Sequence, residues 1–197
     1  MSTLEPKRIT GLVLAGGRAS RMGSVDKGLQ PFRGYSLVTH VLARLVLQVG
    51  PVLINANRYA DIYQAFGHRV VGDLIGGFPG PLAGLQAGLA ACETEYLVAV
   101  PCDAPFMPLD LVMRFSEVIA ARDADVVMAM TAVRVHPVFC MMKRSVAPSL
   151  TEFMKDGGRT VRAWVARMNG IPVSFGNDDN FRNLNTLDEL REAEAAK

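Results

Sequence analysis

An apolar, β-branched run from Ile9 to Leu14 breaks directly into Ala15-Gly16-Gly17, and three cationic side chains, Arg18, Arg21 and Lys27, follow on the same loop. The run reads as a buried strand and the break as a turn. Adjacent glycines let backbone N–H groups approach a ligand closely, and the clustered cations favour an anionic one. The chemistry implied is the binding of a phosphate chain. Two familiar designs are excluded by spacing: no G-x-G-x-x-G dinucleotide turn is present, and Gly23 is followed by Ser24 rather than by the Lys of a Walker A loop.

The elements that must hold this turn alternate regularly. Leu37, Val38, Val41, Leu42, Leu45, Val46 and Val49 give the 3, 4 spacing of an amphipathic helix over Tyr35 to Val49, ended by Gly50-Pro51. Val52 to Ile54 reads as a strand stopping at Asn55, Ala60 to Phe66 as a short helix, and Arg69 to Val71 as a strand ending at Gly72-Asp73. Breakers crowd Gly76 to Pro81. The helix expected over Leu82 to Ala91 carries Gly84 and Gly88 four apart, which implies close approach to a neighbour. Tyr96 to Val100 is the next strand, closing with Pro101-Cys102-Asp103, and a helix from about Leu109 to Ala121 leads to a strand over Asp125 to Thr131.

Alternating buried strands and helices define a three-layer, doubly wound α/β architecture, Rossmann-like, which binds ligands at the carboxyl ends of its strands. Gly16, Asn55, Asp73 and Asp103 all fall at such ends. Each acidic or amide residue among them has a plainer alternative. Asn55 and Asp73 are good turn formers, and Asp103 ahead of Pro105 is a good helix N-cap.

Beyond Thr131 the pattern is less regular. Strands are expected over Val135 to Lys143 and Ile171 to Phe175, with helices over Ser145 to Met154 and Val161 to Met168. After the polar turn Asn177-Asp178-Asp179-Asn180, Thr186 with Glu189 three residues later forms a capping box for a closing helix through Ala196. No repeat or linker divides the chain, so residues 1–197 are expected to form one domain.

Twenty-one basic and nineteen acidic residues leave a net charge of +2, so no global field points to nucleic acid or to an anionic membrane. No run approaches a membrane span and no targeting pattern is present, so a cytoplasmic protein is expected. Cys92, Cys102 and Cys140 form no C-x-x-C pair, and with only three histidines there is no zinc-site spacing. They read as small buried hydrophobes. A nucleophilic Cys102 is the alternative.

The string Leu14-Ala15-Gly16-Gly17, then Arg21-Met22-Gly23, then Asp26-Lys27, resembles the signature of the molybdenum cofactor guanylyltransferase family, a branch of the sugar-nucleotidyltransferase-like enzymes. Correct order and spacing extend from Ile9 to Thr186. The resemblance implies a nucleotidyltransferase fold whose mainly parallel sheet has one reversed strand. It also implies transfer of GMP from GTP to the terminal phosphate of molybdenum-molybdopterin, with Mg²⁺ as cofactor and pyrophosphate released. A cytidylyl or sugar-phosphate nucleotidyltransferase, or a non-catalytic nucleotide- or cofactor-binding chaperone, are the rival readings.

On this reading Gly16 and Gly17 offer N–H groups to the phosphates, with Arg21 and Lys27 as the catalytic cations, while Arg18 is as readily a solvated side chain. Asp103 is both catalytic and the expected metal ligand, since Mg²⁺ needs few protein carboxylates when phosphate and water complete its shell. Leu14, Ala15, Asn55 and Asp73 match family nucleotide-site positions. Gly80, Pro81, Leu82 and Gly84 match the loop beside the base and favour guanine. His136, Asn183 and Asn185 match elements near the acceptor phosphate, although His136 is equally a satisfied strand histidine. Residues from about 8–131 would bind nucleotide and about 132–197 the acceptor. Two departures stand in the acceptor half: Ala132-Val133-Arg134-Val135 is less polar than in many relatives, and Arg159-Thr160 replaces a paired basic step. Contacts with cofactor-biosynthesis proteins and recipient molybdoenzymes are implied by the family, with no stretch that identifies the surface.

Overall fold

The structure, a computed structural model, describes residues 3–16, 26–76 and 80–195. Gly17, Arg18 and Arg21 lie outside the described residues.

The apolar run expected to be a strand is β1 (Ile9–Leu14), followed by a two-residue hairpin of β2 (Pro31–Phe32) and β3 (Tyr35–Ser36), then α1 (Leu37–Leu45). Next come β4 (Val52–Asn55), α2 (Ala60–Gln64), β5 (Arg69–Val71), α3 (Pro81–Ala91) and β6 (Tyr96–Pro101). The remainder is α4 (Leu111–Arg122), β7 (Val126–Met130), β8 (Val135–Lys143), α5 (Ala147–Lys155), α6 (Val161–Val165), β9 (Gly170–Ser174) and α7 (Leu187–Ala195).

One seven-stranded sheet carries the order β5-β4-β1-β6-β8-β7-β9. Strands β5, β4, β1 and β6 pair in parallel, and β9 runs parallel to β7. Only β8 is reversed, antiparallel to β6 on one side and to β7 on the other. Strands buried on both faces need no polar alternation, which is why β1 is apolar at nearly every position. Its alternate residues serve different layers. Ile9 and Val13 pack with Val41 and Leu45 of α1 and Phe115 of α4, whereas Leu12 packs with Leu85 and Leu89 of α3 and with Trp164 of α6.

The small residues of α3 act as expected. A Cβ on Gly84 would collide with Asn55 and with Leu14, and one on Gly88 would collide with Leu12, so α3 lies directly on the sheet. A third cluster, Phe32, Leu37, Leu184, Leu190 and Ala193, fastens the last turn and α7 over the β2–β3 hairpin. This cluster carries the C-terminal segment back to the N-terminal third of the chain.

Most boundaries shift by at most two residues, but two helices are clearly shorter than the sequence reading: the one expected over Tyr35 to Val49 spans Leu37–Leu45, and the one expected over Val161 to Met168 spans Val161–Val165. The helix expected from Tyr35 starts at Leu37, because Arg33 (φ 47°) and Gly34 (φ 84°) turn the chain into the hairpin that uses Tyr35 and Ser36. The helix expected over Val161 to Met168 closes at Val165, and Thr160 caps it by accepting from the Ala163 N–H at 3.2 Å. The capping box at the last helix forms as read. The Glu189 N–H donates to Thr186 Oγ1 at 3.1 Å and the Thr186 N–H to Glu189 Oε2 at 3.2 Å.

Candidate active site

The site grows from three strand ends held level. The Ala15 N–H donates to the Asn55 carbonyl at 2.8 Å and the Cys102 N–H to the Leu14 carbonyl at 3.1 Å, so β4, β1 and β6 finish side by side. Between them opens a cleft of about 250 Å³ lined by Leu14, Ala15, Gly16, Lys27, Asn55, Gly80, Pro81 and Asp103, with Asn183 and Asn185 on the far wall. Residues separated by most of the chain therefore share one cavity. This is the carboxyl edge of the sheet, where doubly wound folds bind ligands.

Lys27 and Asp103 face one another across it. Lys27 Nζ stands 3.7 Å from Asp103 Oδ2 and donates to Asn185 Oδ1 at 2.7 Å. Asp103 is only 6% exposed, and burial raises its carboxyl above the usual aspartate range, an effect the Lys27 charge partly offsets. Its backbone also fixes the far wall, since the Leu184 N–H donates to the Asp103 carbonyl at 2.8 Å. The N-cap position of α4 falls at Asp110, whose side chain makes no capping bond, so the N-cap reading of Asp103 does not hold.

A second network sits at the β4 and β5 ends. Asn55 Nδ2 donates to Asp73 Oδ1 at 3.0 Å and to the Val71 carbonyl at 3.2 Å. Asn57, which the sequence reading passed over, donates through Nδ2 to Asp73 Oδ2 at 2.7 Å and accepts from the Asp73 N–H at 2.8 Å. Asp73 does not line the cleft but joins it through Asn55. Leu82 is a core residue of α3, and Gly84 stands behind Asn55.

His136 lines a neighbouring cavity of about 500 Å³, which shares Pro101, Val138, Asn183 and Asn185 with the first. It is stacked on Phe181 at a centroid distance of 4.7 Å, and its Nε2 is 2.9 Å from Asp178 Oδ1. Burial lowers its pKa from the ordinary histidine value, outweighing the upward pull of Asp178. Asp178 also accepts from Thr131 Oγ1 at 2.6 Å and from Arg134 at 3.1 Å, and these partners hold its carboxyl below the usual range. Sequence reasoning saw Asp178 only as part of a polar turn. The signal was there in its acidic type beside Asn183-Leu184-Asn185, but its distance from His136 along the chain hid the pairing.

The thiol of Cys102 is buried and its pKa is raised well above the ordinary value, chiefly by burial and then by the Asp103 charge. A thiol held protonated is no nucleophile. All three cysteines are free and buried, as expected. Among the described residues no three His, Cys, Asp or Glu side chains gather as a metal-binding group. The hard oxygen donors that the cleft would offer a divalent cation are the Asp103 carboxylate and the amide oxygen of Asn185.

A half-buried lysine facing a buried carboxylate across a cleft at the sheet edge is the setting of a nucleotidyltransferase, and the family model for the MobA-like NTP transferase domain matches residues 11–171. The chain is 47% identical over 194 residues to the molybdenum cofactor guanylyltransferase of Cupriavidus metallidurans, covering 96% of each chain. It belongs to the molybdenum cofactor guanylyltransferase family. Its fold is shared with the molybdopterin-guanine dinucleotide biosynthesis protein A of Archaeoglobus fulgidus, at a TM-score of 0.78 and 19% identity over 94% of this chain and 97% of that one. A Mycobacterium tuberculosis protein solved in complex with manganese superposes at a TM-score of 0.73 and 20% identity, over 97% of this chain and 100% of that one.

Proposed function

We propose that this enzyme transfers GMP from GTP to the terminal phosphate of molybdenum-molybdopterin, yielding pyrophosphate and molybdopterin guanine dinucleotide. The observation that carries the reading is the convergence of Lys27, Asp103 and Asn185 on one wall-to-wall cleft at the carboxyl edge of the sheet. In the transfer, an anionic phosphate oxygen of the acceptor attacks the α-phosphorus of GTP, and the bond to the bridging oxygen of pyrophosphate breaks. The attacking oxygen carries no proton to remove, so the site has little need of a general base.

The protein's part is alignment and charge. Backbone N–H groups at Gly16 and Gly17, with Arg21, hold the triphosphate, and Lys27 meets the charge that develops on the α-phosphoryl oxygens. Asp103 and Asn185 would hold Mg²⁺, which supplies Lewis-acid neutralisation of the phosphates. Leu14, Ala15 and Asn55 form the nucleotide side, with Asp73 holding Asn55 from behind, and Gly80 and Pro81 border the guanine, with Leu82 and Gly84 seating that loop from the core side. His136, Asn183 and Asn185 receive the acceptor in the adjoining cavity, so the shared wall of the two cavities is where the phosphates meet. The chain works as one domain, with nucleotide bound by about 8–131 and acceptor by about 132–197. Among the described residues no helix is long and apolar enough to cross a membrane, and we place the reaction in the cytoplasm, next to the proteins that make the cofactor and the molybdoenzymes that receive it.

Single-turnover incubation with Mg²⁺, metal-loaded molybdopterin and each of GTP, CTP, ATP and UTP tests the proposal through pyrophosphate release. Release with GTP alone, dependent on the pterin, is expected. Release with CTP alone would overturn the guanine assignment. Nucleotide binding without release would overturn catalysis in favour of a binding role.

A further inference from the structure

A second carboxylate lies directly behind the catalytic lysine, and the transfer as described leaves it unused. Asp26 is buried, and its Oδ1 accepts two hydrogen bonds, one from the Gly28 N–H at 3.0 Å and one from the hydroxyl of Tyr63 at 2.5 Å. Tyr63 is fully buried and belongs to α2, a helix with no residue among those that line the cleft. Its hydroxyl therefore reaches out of another layer element to hold the first residue of the Asp26-Lys27 pair.

The packing around this contact is tight. A Cβ on Gly28 would come within 2.5 Å of the Tyr63 hydroxyl and 3.1 Å of Cys102 Sγ. Cys102 is the residue immediately before Asp103. The short 3-10 turn Lys27–Leu29 is thus clamped from below by Tyr63 and from the side by the end of β6, with Asp26 as its cap. Lys27 leaves this turn and reaches Asn185 Oδ1 at 2.7 Å, so its ammonium position follows from how the turn is seated. Burying a carboxylate is costly, and burial does raise the pKa of Asp26, with Tyr63 and Gly28 pulling it back. A serine cap would satisfy the Gly28 N–H without that cost. The carboxylate and the tyrosine are meaningful as a pair.

We propose that Asp26 and Tyr63 are positioning residues for the transfer: their hydrogen bond fixes the turn that aims Lys27 Nζ at the reacting phosphoryl group. Neither touches substrate. The inference rests on the role given to Lys27 in the proposed function. Misplacement of a reacting or charge-stabilising group by a fraction of its working distance lowers turnover without equal loss of binding.

The test is a double-mutant cycle on pyrophosphate release from GTP with metal-loaded molybdopterin, accompanied by thermal unfolding of each variant. Tyr63→Phe keeps the ring in the core and removes the hydroxyl. It is expected to lower kcat about tenfold while KM for GTP stays within about twofold. In a Lys27→Ala background the same change is expected to lower the residual kcat by less than about twofold, because the group being aimed is gone. Asp26→Ala should match Tyr63→Phe, and Asp26→Asn, which keeps an oxygen for both donors, should recover most of that loss. An equal loss from Tyr63→Phe with and without Lys27, or a loss confined to temperatures at which the variant unfolds, would overturn the inference while leaving the function standing. Parental kcat in Lys27→Ala alone would instead remove Lys27 from the mechanism and this inference with it.

Discussion

Lys27 Nζ donates to Asn185 Oδ1 at 2.7 Å although 158 residues separate the two in the chain. The amide holds the lysine at the boundary between the two cavities, where it also feels the Asp103 carboxylate. Lys27→Ala is expected to lower kcat by about 10²–10³-fold, the scale for removing one preorganised charge contact. Lys27→Arg should recover only part of this, since a planar fork cannot sit where a compact ammonium does. Asn185→Ala leaves the lysine charged but unaimed, so its kcat should lie between those of the parent and Lys27→Ala. Steady-state pyrophosphate release for the variants checks the ranking.

Asp103 joins the site through its side chain and the fold through its backbone. Asp103→Asn removes the charge while keeping the carbonyl that accepts from the Leu184 N–H. The expected outcome is a loss of about 10²–10³-fold in kcat with no fall in the thermal midpoint. Titration with Mn²⁺ in the presence of GTP, followed by electron paramagnetic resonance, should show weakened metal binding. Undiminished metal affinity would place the ligand elsewhere.

Gly84 lies against Asn55 and Leu14 with no room for a methyl group. Gly84→Ala is expected to destabilise the fold by about 1–3 kcal/mol, the usual cost of overpacking, and to weaken GTP binding because Asn55 must shift. Urea unfolding and calorimetric titration separate the two effects. Stability and affinity both at the parental level would mean that α3 does not lie on the sheet as described.

His136 has a pKa lowered from its ordinary value, with burial as the largest cause. Its charged form is therefore disfavoured until the pH falls below the usual histidine midpoint, and at neutral pH the ring is uncharged. Nuclear magnetic resonance titration of the ring protons should give a midpoint below about 6.5, the reference for a free side chain. Asp178 pulls that value upward, so Asp178→Asn should move the midpoint further down. A midpoint above the reference value would show that the pair with Asp178 outweighs burial.

The strands were legible because their signals are local. Ile9 to Leu14 and Val135 to Lys143 are rich in apolar and β-branched residues, and both match their strands to the residue. The ends of β1, β4 and β6 carried the cleft: Gly16, Asn55 and Asp103 stand where the alternation put them. What the sequence hid was pairing at a distance. Tyr63 reads as one more apolar residue of a short helix, and nothing near it announces Asp26. Asn57 reads as a turn, and its grip on Asp73 needs β4 and β5 side by side. The start of α1 was missed because Arg33 and Gly34 form a turn whose left-handed backbone is weakly encoded for an arginine.

The reversed strand β8 lies between β6 and β7, although β7 precedes it in the chain. During synthesis β7 emerges first and has no sheet edge of its own to join, because its partners β8 and β9 are still unmade. The nascent chain must wait with β6 as a bare parallel edge, the kind of exposed template that invites aggregation. The wall bearing Asn183 and Asn185 is made later still. The cleft therefore closes only once residues 183–185 have been made, and a product truncated before Asn183 lacks this wall.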